Sequence, residues 1–109
     1  MPYDETLADR VRKLIGDDPG YVEKRMFRGL AMMLDGNMAV CVNPTGLLVR
    51  IDPATQETVL SEPGVRRFVM GERPMKGWVE VDTGAIATAA ALRKWVSRGA
   101  DYARSLPSK

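Results

Sequence analysis

Residues 30–42, LAMMLDGNMAVCV, constrain the fold more than any other stretch of this chain. Two apolar runs, 30–34 and 38–42, flank Asp35-Gly36-Asn37. A two-residue type I′ turn needs positive φ at both central positions, and Asp-Gly is among the pairs that accept it. The stretch therefore predicts an antiparallel hairpin. Neither run alternates apolar with polar residues, as a strand with one wet face should. Both faces of the hairpin are expected to be covered, by helices wrapped around both sides or by a second subunit. We expect a homodimer that buries part of this sheet.

The neighbouring segments extend the pattern. YVEKRMF at 21–27 is strand-compatible, and Gly29 interrupts it where a bulge or a close backbone approach fits, so 21–34 reads as one bent strand. NPTG at 43–46 is a second turn, leading into LLVRI at 47–51. Upstream, Leu7, Val11 and Leu14, widened by Ala8 and Ile15, form the apolar stripe of a helix. Asp4 is its candidate N-cap, and GDDPG ends it, with Gly16 available for a left-handed cap. Downstream, Asp52 and Pro53 open a helix that stops at EPG, residues 62–64.

Strands at 66–70 and 76–81 follow, separated by GERP. A long helix closes the chain after Asp82, with a stripe of Ala85, Ala89, Leu92, Val96, Gly99, Ala103 and Leu106. Glycine costs about 1 kcal/mol against alanine inside a helix, so Gly99 points to close packing. The order α-β-β-β-α-β-β-α specifies an α+β fold in two layers, with an antiparallel sheet of about five strands. With 109 residues, one domain spanning 1–109 is expected.

Composition narrows the chemistry. The chain has no histidine. That removes Ser-His and Cys-His nucleophilic pairs, histidine metal sites and the commonest general base. Its single cysteine, Cys41, excludes an internal disulfide and sits in an apolar run, as a buried inert thiol would. No phosphate-binding, dinucleotide-binding or nucleophile-elbow motif occurs. Asp17-Asp18 reads as a solvated turn pair, and Glu80 and Asp82 share a strand face. We expect no catalytic residue, no metal and no cofactor.

No segment is long and apolar enough to span a membrane, and the start lacks the regions of a signal peptide, so a cytoplasmic location is expected. Residues 1–60 carry a net −2 and residues 61–109 a net +4. That asymmetry favours an acidic partner surface but falls short of the basic stripe of a DNA-binding domain, so direct DNA binding is not expected.

Arginines are the remaining candidates. Arg25 and Arg50, on strands read as neighbours, together with Arg73, could clamp a carboxylate or phosphate. The plainer alternative pairs Arg25 and Arg50 with Glu23, Asp52 or Glu80. In RPMKGWVEV, residues 73–81, Met75, Lys76 and Trp78 are candidate partner contacts, Trp78 being either a core residue or an interface anchor. Arg93, Lys94 and Arg98 on the last helix are further candidate contacts. The methionines read as core filler or as an adaptable binding surface.

RMFRGLAMMLDGNMAVCV, followed by LLVRI, RPMKGWVEV and a terminal helix ending YARSLPSK, resembles the N-terminal domain of the TfoX/Sxy family from Tyr3 to Pro107. The most specific parts are Met26, Phe27 and Gly29 after Arg25, and the cluster of Met75, Gly77 and Trp78. Asp35 and Gly36 complete the structural motif. The family usually carries two glycines after Met-Phe, whereas the first is Arg28 here. The resemblance implies an antiparallel α+β domain of the secretion-chaperone-like type in a bacterial cytoplasm. It also implies kinship with regulators of natural competence genes, which act with the cyclic-AMP receptor protein and carry a second, C-terminal domain. We expect a stand-alone N-terminal domain with a non-enzymatic, protein-interacting role in transcription regulation. Alternatives are a small-molecule or anion-binding domain using the arginines, and a chaperone-like binder of peptides.

Overall fold

A computed structural model describes residues 3–26, 29–70 and 72–108. Helix α1 (Glu5–Ile15) precedes four strands, β1 (Tyr21–Met26), β2 (Gly29–Leu34), β3 (Asn37–Asn43) and β4 (Gly46–Arg50). A 3₁₀ turn (Pro53–Thr55) leads into α2 (Gln56–Leu60), then β5 (Val65–Met70) and β6 (Arg73–Asp82). A second 3₁₀ turn (Thr83–Ile86) precedes α3 (Ala89–Ser105). All strand pairs are antiparallel, in the order β1-β2-β3-β4-β6-β5. The fold is the α+β arrangement expected, with six strands in place of five.

The extra strand comes from 21–34, which is two strands and not one bent at Gly29. Met26 pairs with Gly29, so the chain reverses between them. Both halves are strand-compatible in composition, so nothing in their residue types marks the break. The expected close approach at Gly29 is real: a Cβ there would collide with the Val42 carbonyl oxygen. Phe27 and Arg28 lie outside the described residues. The β2–β3 hairpin turns as expected, with φ 52° at Asp35 and 84° at Gly36.

The helix signals are mostly literal. Asp4 accepts from the Thr6 and Leu7 amides, and Asp52 accepts from the Ala54 amide. Gly16, however, is right-handed (φ −64°), because the chain runs on into a further turn in which the Asp18 amide donates to the Ile15 carbonyl. The buried stripe of α1 follows Leu7, Ala8, Val11 and Ile15, and leaves Leu14 38% exposed. The last helix starts later than expected, at Thr88, whose side chain accepts from the Ala91 amide. Its buried stripe gains Trp95 and Ala100 and excludes Ala85, which lies in the preceding 3₁₀ turn, Ala89, which is exposed, and Leu106, which caps the C-terminal end.

The helices pack on one face of the sheet. α3 lies across β3 and β4, α1 packs against α3, and α2 covers β5 and β6. Between these layers sits the main core, which includes Leu30, Met32, Leu34, Val40, Val42, Leu47, Val49, Val79 and Val81 from the strands. Gly99 sets the depth of the contact: a Cβ there would collide with the Ala39 carbonyl oxygen and crowd Val40. Arg12 ties α1 to β1 through a two-pronged hydrogen bond to Glu23, which also accepts from the Tyr21 hydroxyl.

Two consequences can be measured. Gly99→Ala gains helix propensity but forces α3 off β3, and is expected to lose roughly 1–2 kcal/mol net. A urea midpoint equal to or above that of the wild type would contradict the close contact. Glu23 is held below the usual carboxylate range, chiefly by the Arg12 hydrogen bond, which outweighs the opposing effect of burial. The folded carboxyl is the stronger acid, so the pair stabilises the fold above about pH 4.3. That contribution disappears as pH falls through the lower folded value. Glu23→Gln should be less stable than wild type at neutral pH, by a gap that narrows below about pH 4. Urea midpoints on both sides of that pH check this, and an unchanged gap would contradict it.

Candidate functional site

Strand alternation sends half of the sheet residues to the face opposite the helices. There a second cluster forms from Ala31, Met38, Cys41 and Leu48, with Met26, Met33, Phe68 and Trp78 packed over it. Every described member is a strand residue. Ala31, Cys41 and Leu48 are fully buried, while Met26, Met33, Phe68 and Trp78 keep part of their surface exposed. Val22, opposite Met33 in the register, is 52% exposed. The double-sided apolar pattern of the central strands therefore has two separate causes: helices on one face, and a thin layer of methionine and aromatic side chains on the other. Burial pushes the Cys41 thiol up to about 12, so it is an inert core residue.

The three arginines expected to converge occupy separate places. β2 and β3 separate Arg25 on β1 from Arg50 on β4, so these strands are not neighbours. Arg73 lies at the first residue of β6, five positions before Trp78, the partner of Arg50. Arg25 and Arg73 are exposed. The plainer alternative also fails: Glu23 serves Arg12, Glu80 and Asp82 serve Arg66, and Asp52 caps the first 3₁₀ turn. Each carboxylate has another partner because side chains nearer in the register or across the layer reach it first.

Arg50 is held instead by aromatic rings. Its guanidinium carbon lies 5.4 Å from the Trp78 ring centre and 5.8 Å from that of Tyr102. These distances suit cation–π attraction, and they link the end of β4 to β6 and to α3. Tyr102 escaped the sequence reading because its partner is distant in the chain; the only signal was an aromatic residue between basic and acidic residues of the last helix. Behind Trp78, Gly77 takes φ 86°, and its amide donates to the buried Gln56 side chain at 2.9 Å. Gly77 thus turns the backbone toward α2 while Trp78 stays on the strand-only face. Lys76 is exposed and Met75 half-buried.

The basic residues of α3 are mostly engaged. Lys94 and Arg98 both donate to Glu62 and both lie over the Trp95 ring. Arg104 binds Asp18. Arg93 is exposed, with no ion pair among the described residues. Burial works against ionisation of Glu62, but hydrogen bonds from Lys94 and Arg98 prevail and hold its carboxyl below the usual range. Among the described residues no group of His, Cys, Asp or Glu is arranged to hold a metal ion. A groove of about 560 Å³ runs between the 3₁₀–α2 segment and the C-terminal half of α3.

Among the described residues no helix is long and apolar enough to cross a membrane. No curated protein and no solved structure matches the chain. The family model described as the TfoX N-terminal domain matches residues 14–103, which takes in the whole sheet and nearly all of α3. The chain belongs to the TfoX N-terminal domain family.

Proposed function

We propose that this chain is a non-enzymatic, protein-interacting domain of transcription-regulatory type, working in the cytoplasm and pairing with a second copy through the strand-only face. Membership of the TfoX N-terminal domain family supports the regulatory setting. The observation that carries the interaction reading is the layer of half-buried Met26, Met33 and Trp78, extended by exposed Val22, over a cluster that no helix enters. Methionines repack around varied surfaces, and a partly exposed tryptophan is a common interface anchor. Met75 and Lys76 lie just before Trp78 in the chain, and Arg93, with no ion pair among the described residues, adds a cation on the helical layer. Direct DNA binding is a poorer fit, because Lys94, Arg98 and Arg104 are already neutralised by carboxylates.

Analytical ultracentrifugation tests the pairing. The wild type is expected to show a concentration-dependent dimer, and the double variant Val22→Glu, Met33→Glu a monomer with unchanged circular dichroism. A wild type that stays monomeric at the highest soluble concentration would overturn the homodimer. Capture of a partner by wild type but not by Trp78→Ala would support a different protein at the same face.

A further inference from the structure

Leu14 belongs by chemistry to the apolar stripe of α1, yet it stands 38% exposed. It lies at a groove of about 200 Å³ between α1 and α3, lined by Arg10, Lys13, Leu14, Ala89, Leu92 and Arg93. The apolar part of this lining joins the buried Leu92 to the exposed Leu14 and Ala89. The charged part is three cations, with no carboxylate among the described lining residues.

These cations are not neutralised by described residues. Lys13 and Arg93 are exposed and make no ion pair among them. Arg10 is half-buried, and its Nη2 donates to the Ile86 and Ala87 carbonyls at 3.2 and 3.3 Å. Those bonds hold the guanidinium beside the groove and leave its charge in place. Asp9, next to Arg10 in the chain, binds Arg12 instead. Three like charges thus surround an apolar centre, and a negatively charged surface would complement them.

We infer that the groove between α1 and α3 is a docking site for an acidic protein segment, one aliphatic side chain seated against Leu14 and Leu92 while flanking carboxylates reach Arg10, Lys13 and Arg93. The groove is smaller than the roughly 300–1,000 Å³ of a small-molecule site, and its size suits a single anchoring side chain. A phosphate backbone would use the cations but gain nothing from the apolar centre. The site lies on the outer surface of the helical layer, so it does not depend on pairing through the strand-only face.

The test is a two-dimensional NMR titration of the full chain with three capped peptides, EELLEE, EEAAEE and QQLLQQ, and with a short DNA duplex. EELLEE is expected to shift the amide signals of Leu14, Ala89 and Arg93 and to leave those of Ala31, Cys41 and Leu48 in place. It should bind at least about tenfold more tightly than QQLLQQ, because the charges set the preference, and should weaken as salt is raised. EEAAEE, without the aliphatic anchor, should bind more weakly than EELLEE. The variants change exposed positions and spare Arg10, which ties α1 to the turn before α3. The double variant Lys13→Glu, Arg93→Glu should abolish binding of EELLEE, and Leu14→Gln should remove its advantage over EEAAEE. No shift with EELLEE, equal binding of QQLLQQ or EEAAEE, undiminished binding in the double variant, or tighter binding of the duplex would overturn the inference. So would shifts of Leu14 and Arg93 that follow protein concentration without peptide, which would give the groove to a second copy.

Discussion

The contact between Gly99 on α3 and the Ala39 carbonyl on β3 sets the geometry of the helical layer. There is no room for a Cβ at that point, so the helix backbone packs directly against the strand there. Leu92, Trp95, Val96, Ala100 and Ala103 are then buried along its length. α3 packs in turn against α1, and Lys94 and Arg98 reach Glu62 just beyond α2. All three helices share that one face. Each large aliphatic side chain buried there contributes about 1.5–3 kcal/mol, so displacement of this layer would affect many terms together.

Crowding all helices onto one face leaves the other to side chains alone. Ala31 and Cys41 are small, which keeps that cluster shallow, and Met26, Met33, Phe68 and Trp78 roof it. The asymmetry explains why apolar runs in β2 and β3 did not need helices on both sides. It also accounts for the difference in chemistry between the faces. One is closed mainly by branched aliphatic residues, and the other is finished by flexible methionines and aromatic rings suited to contact with another surface.

Much of the fold was legible because its signals are local. Asp35-Gly36 turns the chain by its own backbone preference, Asp4 and Asp52 cap through neighbouring amides, and Gly99 announces a close approach by its cost in a helix. What escaped was non-local. The break between β1 and β2 has no change in composition to mark it. Leu14 carries the right chemistry for the α1 stripe but lies at its edge, and only the packed helix decides that. The candidate arginines were identified by type, yet their surroundings depend on register: Arg50 meets Trp78 across a strand pair and Tyr102 across a layer, which no spacing rule reveals. The family signature was recognisable around Met26 and Gly29, and in Gly77 and Trp78, although Phe27 lies outside the described residues.

The central claim is the division between a sealed helical face and a strand-only face open to a partner. Methyl-labelled methionine NMR with a soluble paramagnetic agent tests it directly. In dilute protein the Met26 and Met33 methyl signals should broaden while that of Met32, in the main core, stays sharp, and raising the protein concentration should protect the first two. Equal protection of all three methyls at every concentration, or exposure of Met26 and Met33 that concentration does not change, would contradict the account.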